Sequence, residues 1–245
     1  MGSTERRERE RLAMREQILN AARELFAERG YQAVTMREIG KRIQYSATAL
    51  YHHFADKEAL MLELCRLDFA DFAQRFLTGV MGAKNPLEAM CRAGLIYLGF
   101  AEQFPQHYRL MFMTPLPEAP PEAGEREDPR MNAYVFLRQL IETLLSGDYL
   151  RPELKDVDLI SQTTWAALHG AAALELTVHK QDKWLDFKPR RDRFADVLRL
   201  LCRGMLRDPL AAEKQLDAVL ADSPGFGVPA GKSKPAKAKA PPKKG

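Results

Sequence analysis

The chain of 245 residues is poor in cysteine, with three, and in tryptophan, with two. It also has no apolar run near the ~20 residues that a membrane-spanning helix requires. Cys65, Cys91 and Cys202 are odd in number and far apart, so they form neither a disulfide framework nor a paired metal-binding motif, and a reducing compartment suits them. From Met1 to Arg15, arginine and glutamate alternate where an export signal would carry an apolar stretch. The expected location is the cytoplasm, with no membrane partner. GxSxG, HExxH, a P-loop and a Rossmann glycine fingerprint are missing from any suitable context, which argues against an enzyme and gives no reason to expect a cofactor. His52 and His53 are neighbours, which point about 100° apart on a helix. No third ligand accompanies them, so no metal site is expected.

What is present is charge, unevenly spread. Residues 1–60 carry 11 basic and 9 acidic side chains, and residues 223–245 carry six lysines and no acid. Of the 37 basic and 33 acidic residues in all, the centre is left with 20 and 24. Cationic ends on an acidic centre suit a polyanion at the termini and another task for the centre; solvated helix surface is the alternative reading. The tail SPGFGVPAGKSKPAKAKAPPKKG offers almost nothing to bury, so disorder is expected there. Its lysines could add salt-sensitive, nonspecific affinity for nucleic acid, or serve only as a solubilising segment.

No segment shows the sustained alternation of a strand, while long stretches repeat apolar residues at three and four positions, so the fold expected is all-α. The first helix is expected from about Arg9 to Arg29, stopped by Gly30. Thr35 to Glu38 has the form of a capping box and opens a short helix to about Ile43; another starts at Ser46 and ends near Phe54; Asp56 then caps a long fourth helix. Further helices are expected near 86–103, 105–113, 129–146, 153–179, 190–206 and 209–221, with Pro86, Pro105, Pro129 and Pro209 near their starts. Residues 114–128, dense in proline and acid, read as a mobile connection.

Two short helices separated by Gln44 and Tyr45, with a longer helix on each side, have the spacing of a helix-turn-helix, whose second helix enters the DNA major groove. Leu50 and Phe54 can pack inward with Ile39 and Ile43, which leaves Ala47, Thr48, Tyr51 and His52 on the opposite side. The stretch GYQAVTMREIGKRIQYSATALYHHFADKEAL resembles the DNA-binding motif of TetR-type transcriptional regulators. The resemblance rests on Gly30-Tyr31, Thr35, Arg37, Ile39, Ser46, Leu50-Tyr51, His53-Phe54 and Lys57. It implies DNA-facing roles for Thr35 and Arg37, for Tyr45, Ser46, Ala47 and Thr48 at the tip, and for Tyr51, His52 and His53 along the recognition helix. Tyr51 and Lys57 would anchor phosphates, and Arg37, Ala47 and Thr48 are the candidates for reading bases. Two positions depart from the family's habit: Gln44 stands where glycine is usual and Gly40 where alanine is usual, so a tilted or softer module is expected. Tyr45 would place a large ring beside the phosphates or the first base.

The resemblance divides the chain into a three-helix DNA-binding domain, 1–56, a helical effector and dimerisation domain, 57–222, and the tail, 223–245. In the second domain FPQHYRLMFM resembles the sixth helix of many members, and WAALHG resembles the Trp-His-Gly signature of one C-terminal subgroup. Candidates for a ligand pocket are the aromatic and Met residues of the apolar stripes: Phe72, Phe76, Met90, Tyr97, Phe100, Phe104, Tyr108, Met111, Phe112, Phe136 and Trp165. Ordinary core is the competing role for each. His107 and His169 are the polar handles, or else histidines satisfied by structural hydrogen bonds. Helices 153–179 and 190–206 would dimerise, with Ala166, Ala167, Gly170, Ala171 and Ala173 allowing close approach and Leu174, Val197, Leu198 and Leu201 supplying apolar area. The expected function is that of a homodimeric, sequence-specific repressor of a palindromic operator in double-stranded DNA, released by an apolar small-molecule effector. The alternative is a nonspecific architectural DNA-binding protein driven by the basic tail.

Overall fold

The structure, a computed structural model, describes residues 3–115, 132–178 and 185–222. The expected mobility of 114–128 and disorder of the tail therefore fall almost wholly outside the described residues. Those residues form ten helices, α1 (Ser3–Arg29), α2 (Met36–Arg42), α3 (Ala47–Tyr51), α4 (Lys57–Val80), α5 (Pro86–Gln103), α6 (Pro105–Met113), α7 (Ala133–Ser146), α8 (Val157–Thr177), α9 (Arg190–Met205) and α10 (Pro209–Asp222). The described residues contain no strand, only an isolated antiparallel bridge between Leu150 and Leu206. None of these helices is long and apolar enough to cross a membrane, and no group of three or more His, Cys, Asp or Glu among the described residues could hold a metal ion.

The helix ends follow local chemistry. Side-chain oxygens of Thr35, Ser46, Asp56, Asn85 and Asp156 each accept a bond from the amide three residues on, and Asn132 from the amide two residues on. Each such cap contributes about 1 kcal/mol. Proline opens α5, α6 and α10, where its missing N–H leaves no gap. Several bounds differ from expectation. α1 starts near Ser3, well before Arg9, because the Arg6–Glu10 and Arg11–Glu8 pairs lie at helical spacing along its exposed first turns. α3 is shorter than expected, since His52 already serves as its C-cap. α8 begins at Val157 rather than 153, where Asp156 supplies the cap. α7 begins at Ala133, and Pro129 lies outside the described residues.

Two apolar cores are strung along α4. Leu60, Met61, Leu64 and Cys65 join α1, α2 and Phe54 in a head core, whereas Phe72, Ala73 and Phe76 belong to the core of the body. The head core thus runs past residue 56, and it takes in Leu110 of α6 as well. The next residue, Met111, sits in the body core. A smaller third cluster, built on Ile141, Leu144, Leu150 and Ile160, closes the end of the body near the bridge.

Candidate DNA interface and ligand cavity

The capping box at α2 is complete: Glu38 N–H donates to the Thr35 hydroxyl at 3.3 Å, and Thr35 N–H donates to Glu38 Oε2 at 2.9 Å. The Thr35 hydroxyl in turn donates to Glu38 Oε2 at 2.9 Å, so its proton is committed to the cap. Ile39 and Leu50 are fully buried and hold α2 against α3, and Phe54 is buried behind them. On the other side Arg37, Tyr45, Ser46, Thr48, Tyr51 and His52 are exposed, with Ala47 half-buried among them.

The turn between α2 and α3 brings the two unusual positions together. Gln44 adopts φ 63°, the left-handed region that favours glycine. Gly40 is the compensation: the Tyr45 amide donates to the Gly40 carbonyl at 2.8 Å, and a Cβ at residue 40 would stand 2.7 Å from the Tyr45 carbonyl oxygen. The glycine has moved from the turn to the helix that the turn presses upon. It permits the close approach of the Tyr45 carbonyl there.

Two of the residues assigned to DNA have inward commitments. The Lys57 ammonium, expected to anchor a phosphate, donates to the carbonyls of Tyr31 and Val34, each at 3.0 Å, and lies 4.2 Å from the Tyr31 ring centre. Lys57 thus clamps α4 to the α1–α2 loop and keeps one of its three protons for a further acceptor. His53 is half-buried; its carbonyl accepts from Arg15 at 3.1 Å, and its Nδ1 is buried without a partner. Burial, helped by the nearby charges of Arg11, Arg15 and His52, holds its pKa below the usual value. Arg15, which the sequence did not single out, also stacks 4.3 Å from the Phe54 ring and pairs with Glu63 at 2.8 Å, bracing α1 against the end of the recognition helix.

The body encloses a cavity of about 550 Å³. Of the residues expected to line it, Phe72, Phe76, Met90, Tyr97, Met111, Phe112, Phe136, Trp165 and His169 do so. Phe100, Phe104, His107 and Tyr108 do not. Phe100 is buried against Phe72 and Phe104; Phe104 lies under the Arg75 guanidinium, 4.3 Å from its ring centre; Tyr108 is fully buried in the layer behind the wall. These four point elsewhere because α5 and α6 each bury more than one face, which apolar periodicity alone does not resolve. The sequence missed wall residues from α7 and the small or polar positions, among them Asn132, Ala133, Tyr134, Gln162 and Thr164, together with Cys91 and Cys202. None of these carries a motif.

A chain of hydrogen bonds runs along one wall. Trp165 Nε1 donates to Tyr97 Oη at 3.0 Å; Tyr97 Oη lies 2.8 Å from Tyr108 Oη, which lies 2.7 Å from His169 Nδ1. Burial pushes both tyrosine pKa values up, Tyr97 to about 12, and lowers that of His169. All four groups are therefore uncharged near neutral pH.

His107 belongs to a second, charged network at the junction of head and body. Asp68 on α4, only 3% exposed, receives Arg23 of α1 through two bonds, 2.7 and 3.2 Å. His107 Nδ1 of α6 lies 3.2 Å from the same carboxylate, close enough to pair but off the angle of a hydrogen bond. Burial raises the Asp68 pKa, yet His107 and Arg23 outweigh it and hold the carboxyl below the usual value.

On α8 and α9, Leu159, Leu174 and Leu200 are exposed, and a Cβ at Gly170 would meet open space; Ala166, also exposed, borders the cavity. Leu198 and Ala171, expected on the dimerising face, are buried instead. Leu198 turns toward Gly94 of α5, and Leu201 lines the cavity.

A helix-turn-helix head joined by two helices to a hollow helical body defines a transcriptional regulator of the helix-turn-helix class. Residues 18–64 match the family of bacterial regulatory proteins called tetR, and residues 87–199 match the tetracyclin repressor-like C-terminal domain. The transcriptional repressor KstR2 of Mycobacterium tuberculosis is 32% identical over 164 residues, 63% of this chain and 79% of that protein. The repressor AcnR of Corynebacterium diphtheriae is 45% identical over 60 residues, but these span 24% of this chain and 32% of AcnR. The fold matches the structure of the ketosteroid regulator KstR2 of M. tuberculosis with a TM-score of 0.55 at 21% identity, covering 80% of this chain and 96% of that one. It matches a gamma-butyrolactone receptor, an ArpA-like protein, with a TM-score of 0.59 at 19% identity, covering 87% and 98%. The chain belongs to the TetR family and is a DNA-binding transcriptional regulator.

Proposed function

We propose that the protein is a cytoplasmic homodimeric repressor that binds a palindromic operator and is released by an apolar small molecule held in the body cavity. The observation that carries this reading is the position of α6: Leu110 is part of the head core while Met111 and Phe112 line the cavity. A ligand that displaces Met111 or Phe112 moves the helix on which the head rests. Asp68 makes the connection stiff, because it ties α1 and α6 to α4 through Arg23 and His107. Coupling of this kind is reciprocal: if the ligand lowers operator affinity, operator lowers ligand affinity by the same factor.

In the DNA complex Arg37, Ala47 and Thr48 read base edges while Tyr45, Ser46, Tyr51 and His52 approach phosphates, with Thr35, His53 and Lys57 mainly holding the geometry. Ser46 and Thr48 have the freedom for this, being exposed at the tip of α3. Dimerisation through α8 and α9 would cover Leu174 and Leu200, which are 51% and 66% exposed in the single chain. A two-fold dimer requires a symmetric site. Selection from a random DNA duplex pool with purified protein tests the reading. A palindrome with fixed half-site spacing is expected, retained when residues 223–245 are removed. Enrichment without a motif, or loss of nearly all affinity on removing the tail, would show a nonspecific binder instead.

A further inference from the structure

The described residues of the cavity wall carry no formal charge: there is no Lys, Arg, Asp or Glu among them. Its polar side chains include Asn132, Tyr134, Gln162 and Thr164 as well as Tyr97, Trp165 and His169, and in the chain from Trp165 to His169 the direction of the bonds follows from donor chemistry.

An indole N–H can only donate, so Tyr97 Oη accepts from Trp165. If Tyr97 then donates to Tyr108 and Tyr108 to His169 Nδ1, every proton in the chain has an acceptor. In the reverse order, Tyr97 would accept twice and its own buried proton would have no partner in the chain, which is costly where water is excluded. The forward direction therefore wins. It makes Nδ1 of His169 the acceptor, and since burial keeps the ring neutral, the ring proton resides on Nε2. His169 is half-buried and lines the cavity, so that proton is available to a ligand.

We propose that the cavity selects an uncharged, largely apolar molecule carrying an acceptor oxygen, a carbonyl or ether, that receives the Nε2 proton of His169. The aromatic faces of Phe72, Phe112 and Phe136 hold the rest of it. A carboxylate is rejected for two reasons. No cation among the described wall residues neutralises it, and burying an unpaired anion is expensive. Nor does His169 readily become the cation, because a proton on Nδ1 breaks the bond from Tyr108 and reverses the whole chain.

This inference rests on the cavity being the effector site, and the test separates the two. The probes are 6-propionyl-2-(dimethylamino)naphthalene, an uncharged aromatic ketone, the corresponding 6-(dimethylamino)naphthalene-2-carboxylate, and 2-(dimethylamino)naphthalene without either group. Binding to the full chain is followed by probe fluorescence without DNA. The ketone is expected to bind at least tenfold more tightly than the carboxylate. His169→Ala should remove about tenfold for the ketone and leave the unsubstituted amine unchanged, whereas a merely structural His169 would weaken both. Equal affinity for ketone and carboxylate, or equal losses for ketone and amine in His169→Ala, overturns the inference and leaves the effector site standing. If none of the three binds, the effector site itself falls, and this inference with it.

Discussion

α6 stands between two buried polar networks that solve different problems. On its head side the network is charged: Arg23 and His107 on Asp68. On its cavity side it is neutral: Trp165, Tyr97, Tyr108 and His169. A buried ion pair is costly to form but costlier to leave half-made, so Arg23–Asp68 joins α1 to α4 with little tolerance for displacement, and His107 of α6 packs beside the same carboxylate. Neutral hydroxyls and an imidazole can exchange one partner for another at small cost, which suits a wall that must admit a guest. The charge lies where rigid transmission is needed and, among the described residues, is missing from the wall of the cavity.

The comparison is most directly broken by Asp68→Ala, which leaves Arg23 and His107 facing a void. A loss of about 3–5 kcal/mol is expected, read from urea unfolding. Tyr108→Phe cuts the neutral network at its middle and leaves the Tyr97 proton only the long 3.5 Å approach to His169 Nδ1, at a cost of about 1–3 kcal/mol by the same measurement. Equal losses in the two variants would contradict the distinction drawn between the networks.

The networks should also separate on the pH axis. His169 has a folded pKa below the usual value of about 6.5, so the unfolded chain binds the proton more readily; stability is complete above that pH and declines as pH falls through it. His53 acts with the same sign, from burial and from Arg11, Arg15 and His52. Asp68, also depressed, holds its contribution until pH falls below about 3.9. Unfolding curves from pH 8 to pH 3 should show His169→Gln flattening the upper step alone and Asp68→Asn the lower one alone.

The head offers a milder contrast within a single turn. Gly40→Ala forces a Cβ against the Tyr45 carbonyl and should cost about 1–3 kcal/mol, with operator affinity falling alongside. Gln44→Gly relieves the left-handed backbone and should change stability by less than about 1 kcal/mol, as the freer unfolded chain offsets part of the gain. Thermal unfolding and operator titration check both; indifference to Gly40→Ala would remove the compensation argument.

The head was legible in sequence because its signals are local. A capping box, a glycine stop and an aspartate cap each involve residues within four positions, so Thr35, Gly30 and Asp56 carry their meaning wherever the chain goes. The second commitment of Lys57 was not legible, for the opposite reason: its partners, the carbonyls of Tyr31 and Val34, are remote in sequence and carry no side-chain signature. The body follows the same division. Helix count, proline starts and the apolar stripes were readable, and so were the eight wall residues that those stripes contain, with His169 beside them. Phe100, Phe104, His107 and Tyr108 lie on the same helices at similar spacing, and only their rotation against α1, α4 and α8 assigns them to packing or to the charged junction.

Local chemistry therefore settled the class of fold, the start of each recognition element and the residue types available for DNA. Packing settled which aromatic faces enclose empty space, that a glycine in α2 answers a strained glutamine in the turn, and that one helix belongs to two cores. The physical reason is range: capping and periodicity act within one or two turns of chain, whereas a cavity and a buried ion pair exist only where helices distant in sequence come together.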